Sequence, residues 1–319
     1  MRIFEFRKYF FDIASTDDSD YMIIFISILK TGPIYNSILQ IQSAKRNISN
    51  SYVSTPLYRE KINFPAGRSN DISFSEGCIH FDKGYISLNI ETSVCHIELK
   101  YSDLFDETQP CKLLEVLRSG INSIAWYPVR IKSQVTGTIT LGQNRSDWDK
   151  TNGYIDFVRF SGLPVKNNLK RLFWGRLHSK NIDLTYTIVE LTKNKCSSML
   201  LINLENKRIV FDEVNFDIDR EKTSDSNSMT YPDRLILSSK NVDFTVKIEV
   251  FDHKELIISE FADLGKQYNG FFTYIIRKVS GNPEGIKFLA KANIELESKN
   301  DKFSFQEVSL INEYVRFGI

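Results

Sequence analysis

Apolar and polar residues alternate along much of the chain, most strictly from Val242 to Val250, where every second residue is apolar. Successive side chains of a strand point to opposite faces, so this period of two predicts a β-strand with one buried face. Similar runs predict further strands at Tyr21–Leu29, Ser37–Gln42, Gly84–Ile90, Val135–Leu141, Leu184–Leu191, Met199–Leu204, Arg208–Phe216, Arg234–Ser238, Phe271–Val279 and Ile286–Leu296. Many short strands at regular spacing indicate an all-β protein made of sandwiches or up-and-down barrels.

Helical periodicity is confined to two segments, so only short helices are expected. Leu104–Leu117 predicts a short helix, with Pro110 near its start. Phe305–Phe317 predicts a short C-terminal helix, because its apolar residues recur at helical spacing.

The strand pattern repeats itself at about half the length of the 319-residue chain. The segment Phe10–Ile26 matches Phe173–Val189 without gaps, and Phe11 meets Trp174, 163 positions later. This repeat predicts an internal duplication, with domains over residues 1–165 and 166–319. In the same match, Ile13 meets Arg176 and Ser15 meets His178, so a polar side chain replaces an apolar or small one. We interpret these replacements as mild evidence for a site near the join of the two copies.

Composition narrows the function classes. The formal net charge is +1, so no overall field attracts nucleic acid, and no nucleic-acid partner is expected. The four cysteines form no CxxC pair and the four histidines are scattered, so no metal and no cofactor are expected. The N-terminal residues lack the apolar region of a secretory signal, and no apolar run is long enough for an integral membrane segment. We therefore expect a cytoplasmic protein of unspecified oligomeric state.

The candidate chemistry is a carboxyl group set among large apolar residues. Asp156 lies between Ile155 and Phe157, in a segment that begins at Gly153. If Asp156 faces a barrel interior, the low dielectric should raise its pKa, and a neutral carboxylic acid can protonate an alkene or polarise a carbonyl. A solvent-facing Asp156, or one paired with an arginine, is the competing interpretation, because structural ion pairs also perturb pKa values.

Several short motifs, in this order, resemble the superfamily of carotenoid 1,2-hydratases (hydroxyneurosporene synthases) and AttH-like proteins, which also contains lipocalin-like Diels–Alderases. Its members open with an aromatic strand, matched here by Lys8–Asp12. A Trp-Tyr-x-x-Pro segment before a Val-x-Gly strand is matched in part by Trp126–Pro128 and Val135–Gly137. A Gly-Tyr-His-Asp-His-Asn-Trp-Gly motif is matched in part by Gly153–Asp156 and, after a shift, by Gly162, and a Trp-x-Trp-Gly-Arg strand is matched by Phe173–Arg176. The resemblance implies two tandem lipocalin-like (calycin) antiparallel β-barrels.

The resemblance also implies roles for residues at the matching positions. Asp156 corresponds to an acid that protonates a polyene, with Tyr154 as its hydrogen-bond partner. Trp126 also falls at a matching position. Beyond the resemblance, our leading hypothesis gives substrate-binding roles to Trp126, Tyr127, Phe157, Trp174, Arg176 and His178, the last two orienting a polar head group. Both histidines of the family motif are replaced here, by Ile155 and Phe157, which weakens the expectation of a bound hydrating water.

Three functions follow as hypotheses. The first is a biosynthetic enzyme of secondary metabolism, a cyclase or isomerase or else a hydratase (a lyase). It would act on a polyene, isoprenoid (terpenoid) or polyketide-like molecule in an apolar pocket at the junction of the barrels, by acid-assisted cyclisation or hydration. Its partner would be a hydrophobic small molecule, which it could acquire by transient membrane contact. The second is a non-catalytic lipocalin-like carrier of a hydrophobic ligand. The third is a structural double barrel filled by its own side chains.

Overall fold

The computed structural model describes residues 4–15, 20–31, 34–45, 48–53, 57–58, 72–74, 76–82, 84–93, 95–103, 114–119, 122–161, 169–191, 195–204, 207–225, 229–260 and 284–317. Within these ranges all regular structure is β, which confirms the predicted fold class. The strands are β1 Phe4–Ala14, β2 Asp20–Thr31, β3 Ile34–Lys45, β4 Ile48–Val53, β5 Leu57–Tyr58, β6 Ile72–Phe74, β7 Gly77–Asp82, β8 Tyr85–Glu91, β9 Cys95–Asp103, β10 Leu114–Ser119, β11 Asn122–Leu141, β12 Asn144–Ser161, β13 Leu169–His178, β14 Ile182–Leu191, β15 Lys195–Leu204, β16 Lys207–Phe211, β17 Asn215–Thr223, β18 Thr230–Lys240, β19 Phe244–Glu260, β20 Glu284–Ser298 and β21 Lys302–Arg316.

The strands form two curled antiparallel sheets with the same topology. The first runs in the order β4-β3-β2-β1-β12-β11-β9-β8-β7-β6, and the second runs β16-β15-β14-β13-β21-β20-β19-β18-β17. In each sheet the first strand of the unit pairs with both the second and the last. Each sheet is a half-barrel of the lipocalin-like type, and the shared strand order supports the predicted duplication.

The chain divides into two compact units, the first containing Met1–Leu113 and Ser119–Leu163, the second Leu114–Arg118 and Pro164–Ile319. The boundary predicted between residues 165 and 166 falls outside the described residues and stays a prediction.

The predicted C-terminal helix is wrong, because Lys302–Arg316 forms strand β21. This strand alternates in burial through its first half, but from Leu310 onward it is buried on both faces. Double burial removes the alternation of apolar and polar residues, and the remaining apolar spacing resembled that of a helix.

Other predicted elements have mixed outcomes. The helix predicted within Leu104–Leu117 is wrong at its C-terminal end, where strand β10 begins at Leu114, and residues 104–113 lie outside the described part. The strand predicted at Phe271–Val279 and the motif residue Gly162 also lie outside it. In the described ranges, no helix has the length and apolarity to cross a bilayer.

Each unit has its own apolar core on one face of its sheet. The first contains Tyr9, Phe11 and Ile13 of β1, and the second contains Phe173 and Leu177 of β13. Burial of such side chains stabilises each unit by roughly 1.5–3 kcal/mol per residue.

The second core also packs Tyr186 against the backbone of β13. A Cβ atom added at Gly175 would lie 2.5 Å from ring atoms of Tyr186, so the glycine makes room for the phenol ring. The ring thus lies directly across the strand that carries the motif Phe173–Arg176.

The sequence repeat aligns the first strands of the two units one residue away from their structural alignment. In the ungapped match Phe11 meets Trp174 and Ile13 meets Arg176. Phe11 and Ile13 belong to the first core, whereas Trp174 alternates with the core residue Phe173 and lies on the opposite face of its sheet. A shift of one residue turns every side chain of a strand to the other face. The inference that Arg176 replaces Ile13 at an equivalent position is therefore wrong.

Two cross-strand pairs of arginines give the structural match. Arg7 lies opposite Arg159 in the first sheet, and Arg171 lies opposite Arg316 in the second. The first strands therefore correspond at an offset of 164 residues, and the last strands at an offset of 157.

Aromatic stacking across the same strands supports this match. Tyr9 stacks on Phe157 with ring centroids 4.8 Å apart, and Phe173 stacks on Tyr314 at 5.2 Å. The sequence agrees as well, because Tyr154–Arg159 reads YIDFVR and Ile311–Arg316 reads INEYVR. With these offsets, equivalent residues of the two copies point to the same face of their sheets.

Candidate active site

The first sheet has a second buried face, on the side away from its core. Phe10 is only 4% exposed, yet it lies between the core residues Phe11 and Tyr9 and outside their cluster. Because side chains alternate along a strand, Phe10 must point to the opposite face. We define the acid face by five buried residues of this kind: Phe10, Phe25, Trp126, Tyr154 and Asp156.

Asp156 does not face the core of its own barrel. Its neighbour Ile155 is fully buried in that core, and Phe157 packs against the core through its stack on Tyr9. Asp156 therefore points to the other side of β12, where it is 4% exposed. Asp156 thus takes neither of the orientations considered from the sequence, the barrel interior or the solvent, because its carboxyl group is buried on the opposite face of the sheet.

Two side chains hold the Asp156 carboxyl group through one of its oxygens. Trp126 donates a hydrogen bond from Nε1 to Oδ2 at 2.9 Å, and Tyr154 donates from its hydroxyl group to the same oxygen at 3.0 Å. Both donors are nearly or fully buried, at 3% and 0% exposure. Buried hydrogen bonds of this kind fix the orientation of the carboxyl group.

Strand register explains why these three residues meet. Tyr154 precedes Asp156 by two residues, so the two side chains share a face of β12. On the adjacent β11, Pro128 lies directly opposite Asp156, and Trp126 lies opposite Val158, one position further along the same face. The predicted segments Trp126–Pro128 and Tyr154–Asp156 are therefore brought together by one strand pair.

Two aromatic rings and a second buried carboxyl group, that of Asp12, lie beside Asp156 on the acid face. Phe10 lies directly opposite Asp156 on β1, and its ring makes edge contacts with Tyr154 at 5.9 Å and with Phe25 at 5.2 Å between centroids. The Nζ atom of Lys8 lies 3.9 Å from the centroid of the Phe25 ring. The carboxyl group is thus bordered by an aromatic surface with a cation at its far side.

The second sheet carries a different pair at the equivalent place. Glu313 corresponds to Asp156, and the residue opposite it is Lys287, where the first sheet has Pro128. Lys287 is fully buried and its Nζ atom donates a hydrogen bond to Glu313. In one copy the carboxylate is neutralised by an ammonium group, and in the other the carboxyl group accepts hydrogen bonds from an indole and a phenol.

The remaining predicted site residues lie elsewhere. Tyr127 lies opposite Phe157, so both share the core side of β12 and β11 rather than the acid face. Trp174 and Arg176 are buried on the second face of the other unit's sheet, at 4% and 2% exposure. The side chain of His178 is 2% exposed and faces Asp183, with 3.4 Å between Nδ1 and Oδ1. The roles predicted for these residues stay predictions.

A second polar network, which the sequence did not suggest, lies in the second unit. The hydroxyl group of Tyr186 donates to Oδ1 of Asn312 at 2.7 Å, and Nδ2 of Asn312 lies 3.1 Å from Nε2 of His253. Nδ1 of His253 lies 3.2 Å from the carbonyl oxygen of Asp233. Every contact is satisfied if His253 is neutral, with its proton on Nδ1 donated to the carbonyl group and Nε2 accepting from the amide.

A β-bulge aims His253 at the core. Asp252 has a positive φ of 52°, and the register of β19 against β20 shifts between Phe251 and Lys254. Bulges re-aim the side chains that follow them. The bulge places the His253 ring 5.1 Å from that of Phe288, centroid to centroid. Such a local irregularity has no signature in the apolar pattern, which explains why the network was missed.

We expect this network to make the second unit acid-sensitive. Burial, the largest effect, lowers the pKa of His253 from its usual 6.5 to about 4. Between these values the unfolded chain binds more protons than the folded one, so stability is complete above pH 6.5 and is lost as the pH falls through 4. The loss in the free energy of unfolding is about 3 kcal/mol, at 1.36 kcal/mol per pKa unit.

Denaturant titrations at pH 7 and pH 4.5 measure this loss, with His253→Gln as the matched variant. Gln keeps an acceptor for Asn312 but does not titrate in this range, so the difference in pH dependence between the two proteins isolates His253. Equal pH dependence in both would contradict the assignment.

The described residues do not suggest a metal centre. Among them, no group of three or more His, Cys, Asp or Glu side chains is placed to hold a metal ion.

Known structures share this fold. CghA matches with a TM-score of 0.64 at 8% identity, over 98% of this chain and 88% of that chain. A kievitone hydratase from Nectria haematococca matches with a TM-score of 0.54 at 11% identity, over 98% and 88%. A putative AttH protein from Nitrosomonas europaea matches with a TM-score of 0.56 at 11% identity, over 100% and 93%.

No family model and no curated protein matches the sequence. The structural matches extend over nearly the whole chain, and they confirm at the level of the fold the predicted resemblance to the lipocalin-like AttH and carotenoid hydratase superfamily. With identities of 8 to 11%, what they show is the fold.

Proposed function

We propose that the protein is a biosynthetic enzyme that acts on a hydrophobic polyene, isoprenoid or polyketide-like molecule, with Asp156 as the acid. The observation that carries this proposal is the buried Asp156 carboxyl group, which Trp126 and Tyr154 hold on a sheet face away from the core. A proton donor to an alkene benefits from an apolar, aromatic surrounding, because a low dielectric favours the neutral acid.

The geometry suggests how the acid works. In the proposed mechanism the transferable proton is on Oδ1 of Asp156, while Oδ2 accepts the hydrogen bonds from Trp126 and Tyr154. Transfer of this proton to a carbon–carbon double bond leaves a carbocation on the substrate and a carboxylate on Asp156. Trp126 and Tyr154 then stabilise the carboxylate charge on Oδ2. The ring of Phe10 can stabilise the cation, since aromatic rings attract positive charge.

The carbocation has two balanced outcomes. In a cyclisation, a second double bond of the substrate attacks the cation, and loss of a proton to the Asp156 carboxylate regenerates the acid. In a hydration, a water molecule attacks the cation and then returns one of its protons to the carboxylate. Kievitone hydratase, named for a hydration, has this fold, which supports the proposed reaction class.

Mass spectrometry tests the proposal directly. The protein is purified, stripped of lipid with a mild detergent and incubated with a lipophilic extract of cells that lack it. We expect a hydrophobic compound to be consumed, with a product of the same mass after cyclisation, or of that mass plus one water after hydration. Recovery of a tightly bound but unaltered compound would instead support a non-catalytic carrier.

A further inference from the structure

We propose that Arg159, near the end of strand β12, binds an oxyanion, that is, a carboxylate or phosphate group of a small molecule. Arg159 follows Asp156 by three residues, so its side chain lies on the opposite face of the strand, which also carries the core residue Ile155. The site is therefore separate from the acid face, and the proposal does not depend on the proposed function.

The charge of Arg159 is not balanced by its neighbours in the sheet. On β1 it faces Arg7, whose Nε donates to Oε1 of Glu5 at 2.6 Å, so the charges of that pair cancel. On β11 it faces Ala125, whose side chain has no polar atom. Among the residues that the structure describes, none makes a hydrogen bond or an ion pair with Arg159. Because like charges directly opposite each other destabilise a sheet, an anion bound to Arg159 would offset this repulsion.

The second unit shows what balances the equivalent arginine. Arg316 corresponds to Arg159 and again faces an arginine on the first strand, Arg171. On its other side it faces Glu284, where the first sheet has Ala125, and its Nη2 donates to Oε2 of Glu284 at 3.1 Å. Both copies have kept the arginine, but only the second supplies a carboxylate from its own chain. A ligand oxyanion would supply the same group to the first.

The surroundings of Arg159 suit a small anion. Arg159 is partly exposed, so an ion can reach it from solvent without a buried cavity. The short side chain of Ala125 leaves room beside the guanidinium group. In the next row of the same face, the hydroxyl oxygens of Ser123 and Ser161 lie 2.6 Å apart. One of these hydroxyl groups donates to the other, and the second hydroxyl proton can be donated to an anion.

These donors favour oxyanions over simple halide ions. The planar guanidinium fork can bind two oxygen atoms of one carboxylate or phosphate group, in a geometry that a chloride ion does not match. Hydrogen bonds to a charged acceptor are about twice as strong as neutral ones. We therefore expect inorganic phosphate and acetate to bind in the presence of chloride.

Isothermal titration calorimetry of the purified protein tests the site. Sodium phosphate and sodium acetate are titrated separately, with sodium chloride added to hold the ionic strength constant. We expect saturable binding to one site, and Arg159→Gln should weaken it by about tenfold or more, the loss expected for one charge-assisted contact. Whichever of the two ions binds more tightly identifies the group that the natural ligand carries.

Two exchanges between the copies test the physical cause. Ala125→Glu places a carboxylate opposite Arg159, as in the second sheet, and should weaken binding as much as Arg159→Gln does. Glu284→Ala removes the carboxylate opposite Arg316 and should add a second binding site. Circular dichroism checks that each variant folds, and if Ala125→Glu does not, Glu284→Ala still tests the same comparison.

The matched control is Arg145→Gln. Arg145 also lies on β12, but its side chain is 64% exposed and its Nε donates to Asp147 at 2.9 Å. We expect this variant to bind as the wild-type protein does. The proposal is overturned if the wild-type protein binds neither ion, or if binding survives Arg159→Gln. Either result would leave the role of Asp156 unaffected, because the two residues lie on opposite faces of β12.

Discussion

Asp156→Asn is expected to reduce turnover of the natural substrate by about 10² to 10⁴-fold, the usual contribution of a positioned general acid. Asn has nearly the same shape and can still accept hydrogen bonds from Trp126 and Tyr154, so the fold and the ligand affinity should be retained. Circular dichroism checks the fold, the affinity for a fluorescent polyene such as the methyl ester of cis-parinaric acid checks the binding, and product formation checks the chemistry.

Two further substitutions distinguish the role of the acid from the roles of its two hydrogen-bond donors. Tyr154→Phe and Trp126→Phe each remove one hydrogen bond to Oδ2, so each should lower turnover less than Asp156→Asn does. Glu5→Gln is the matched control. Glu5 is also a buried carboxyl group, at 8% exposure, but it pairs with Arg7, and it should not affect turnover. Full activity of Asp156→Asn would contradict the role of Asp156 as the acid.

Breaking the buried ion pair of the second sheet should cost about 3–5 kcal/mol in the free energy of unfolding. Glu313→Gln removes the carboxylate that accepts a hydrogen bond from the fully buried ammonium group of Lys287. Lys287→Met leaves a carboxylate whose side chain is 12% exposed and can recruit water. We therefore expect Glu313→Gln to be the more damaging of the two changes, as measured by denaturant titration.

The double variant tests the physical cause. Lys287→Met combined with Glu313→Met replaces both charges by apolar side chains, and such replacements are often neutral or stabilising. We expect it to recover most of the stability lost in either single variant. If the double variant loses as much as the two single variants together, the cost comes from packing rather than from an unpaired charge.

The sequence predicted the fold well because most strands have one wet face. Segments such as Val242–Val250 alternate clearly, and the duplication could be recognised from the order of aromatic residues. The pattern failed where both faces of a strand are buried, since alternation then disappears. This is why the end of β21 was interpreted as a helix, and why the copies were matched one residue out of register.

The candidate site was predicted in part. The resemblance supplied Asp156, Tyr154 and Trp126, and the structure brings these three together. The direction in which Asp156 points could not be predicted, because apolar neighbours on both sides are compatible with either face of the strand.

Comparing the last strands of the two copies could have revealed the second carboxylate. The YIDFVR and INEYVR segments align Asp156 with Glu313, a similarity that the longer aromatic match obscured. The pairing of Lys287 with Glu313 could not be predicted from the sequence, because only the register of β20 against β21 places the two residues opposite each other.

The one-residue offset between the copies sets the rule for exchanging segments between them. A chimera cut at the 163-residue match would turn core residues outwards, whereas offsets of 164 in the first strand and 157 in the last keep both faces. By that rule the three polar side chains of the acid face have counterparts at Gly285, Ile311 and Glu313. Lys287, which pairs with Glu313 where the first sheet has Pro128, would have to change as well, so a second acid centre could be engineered in the second unit with four substitutions.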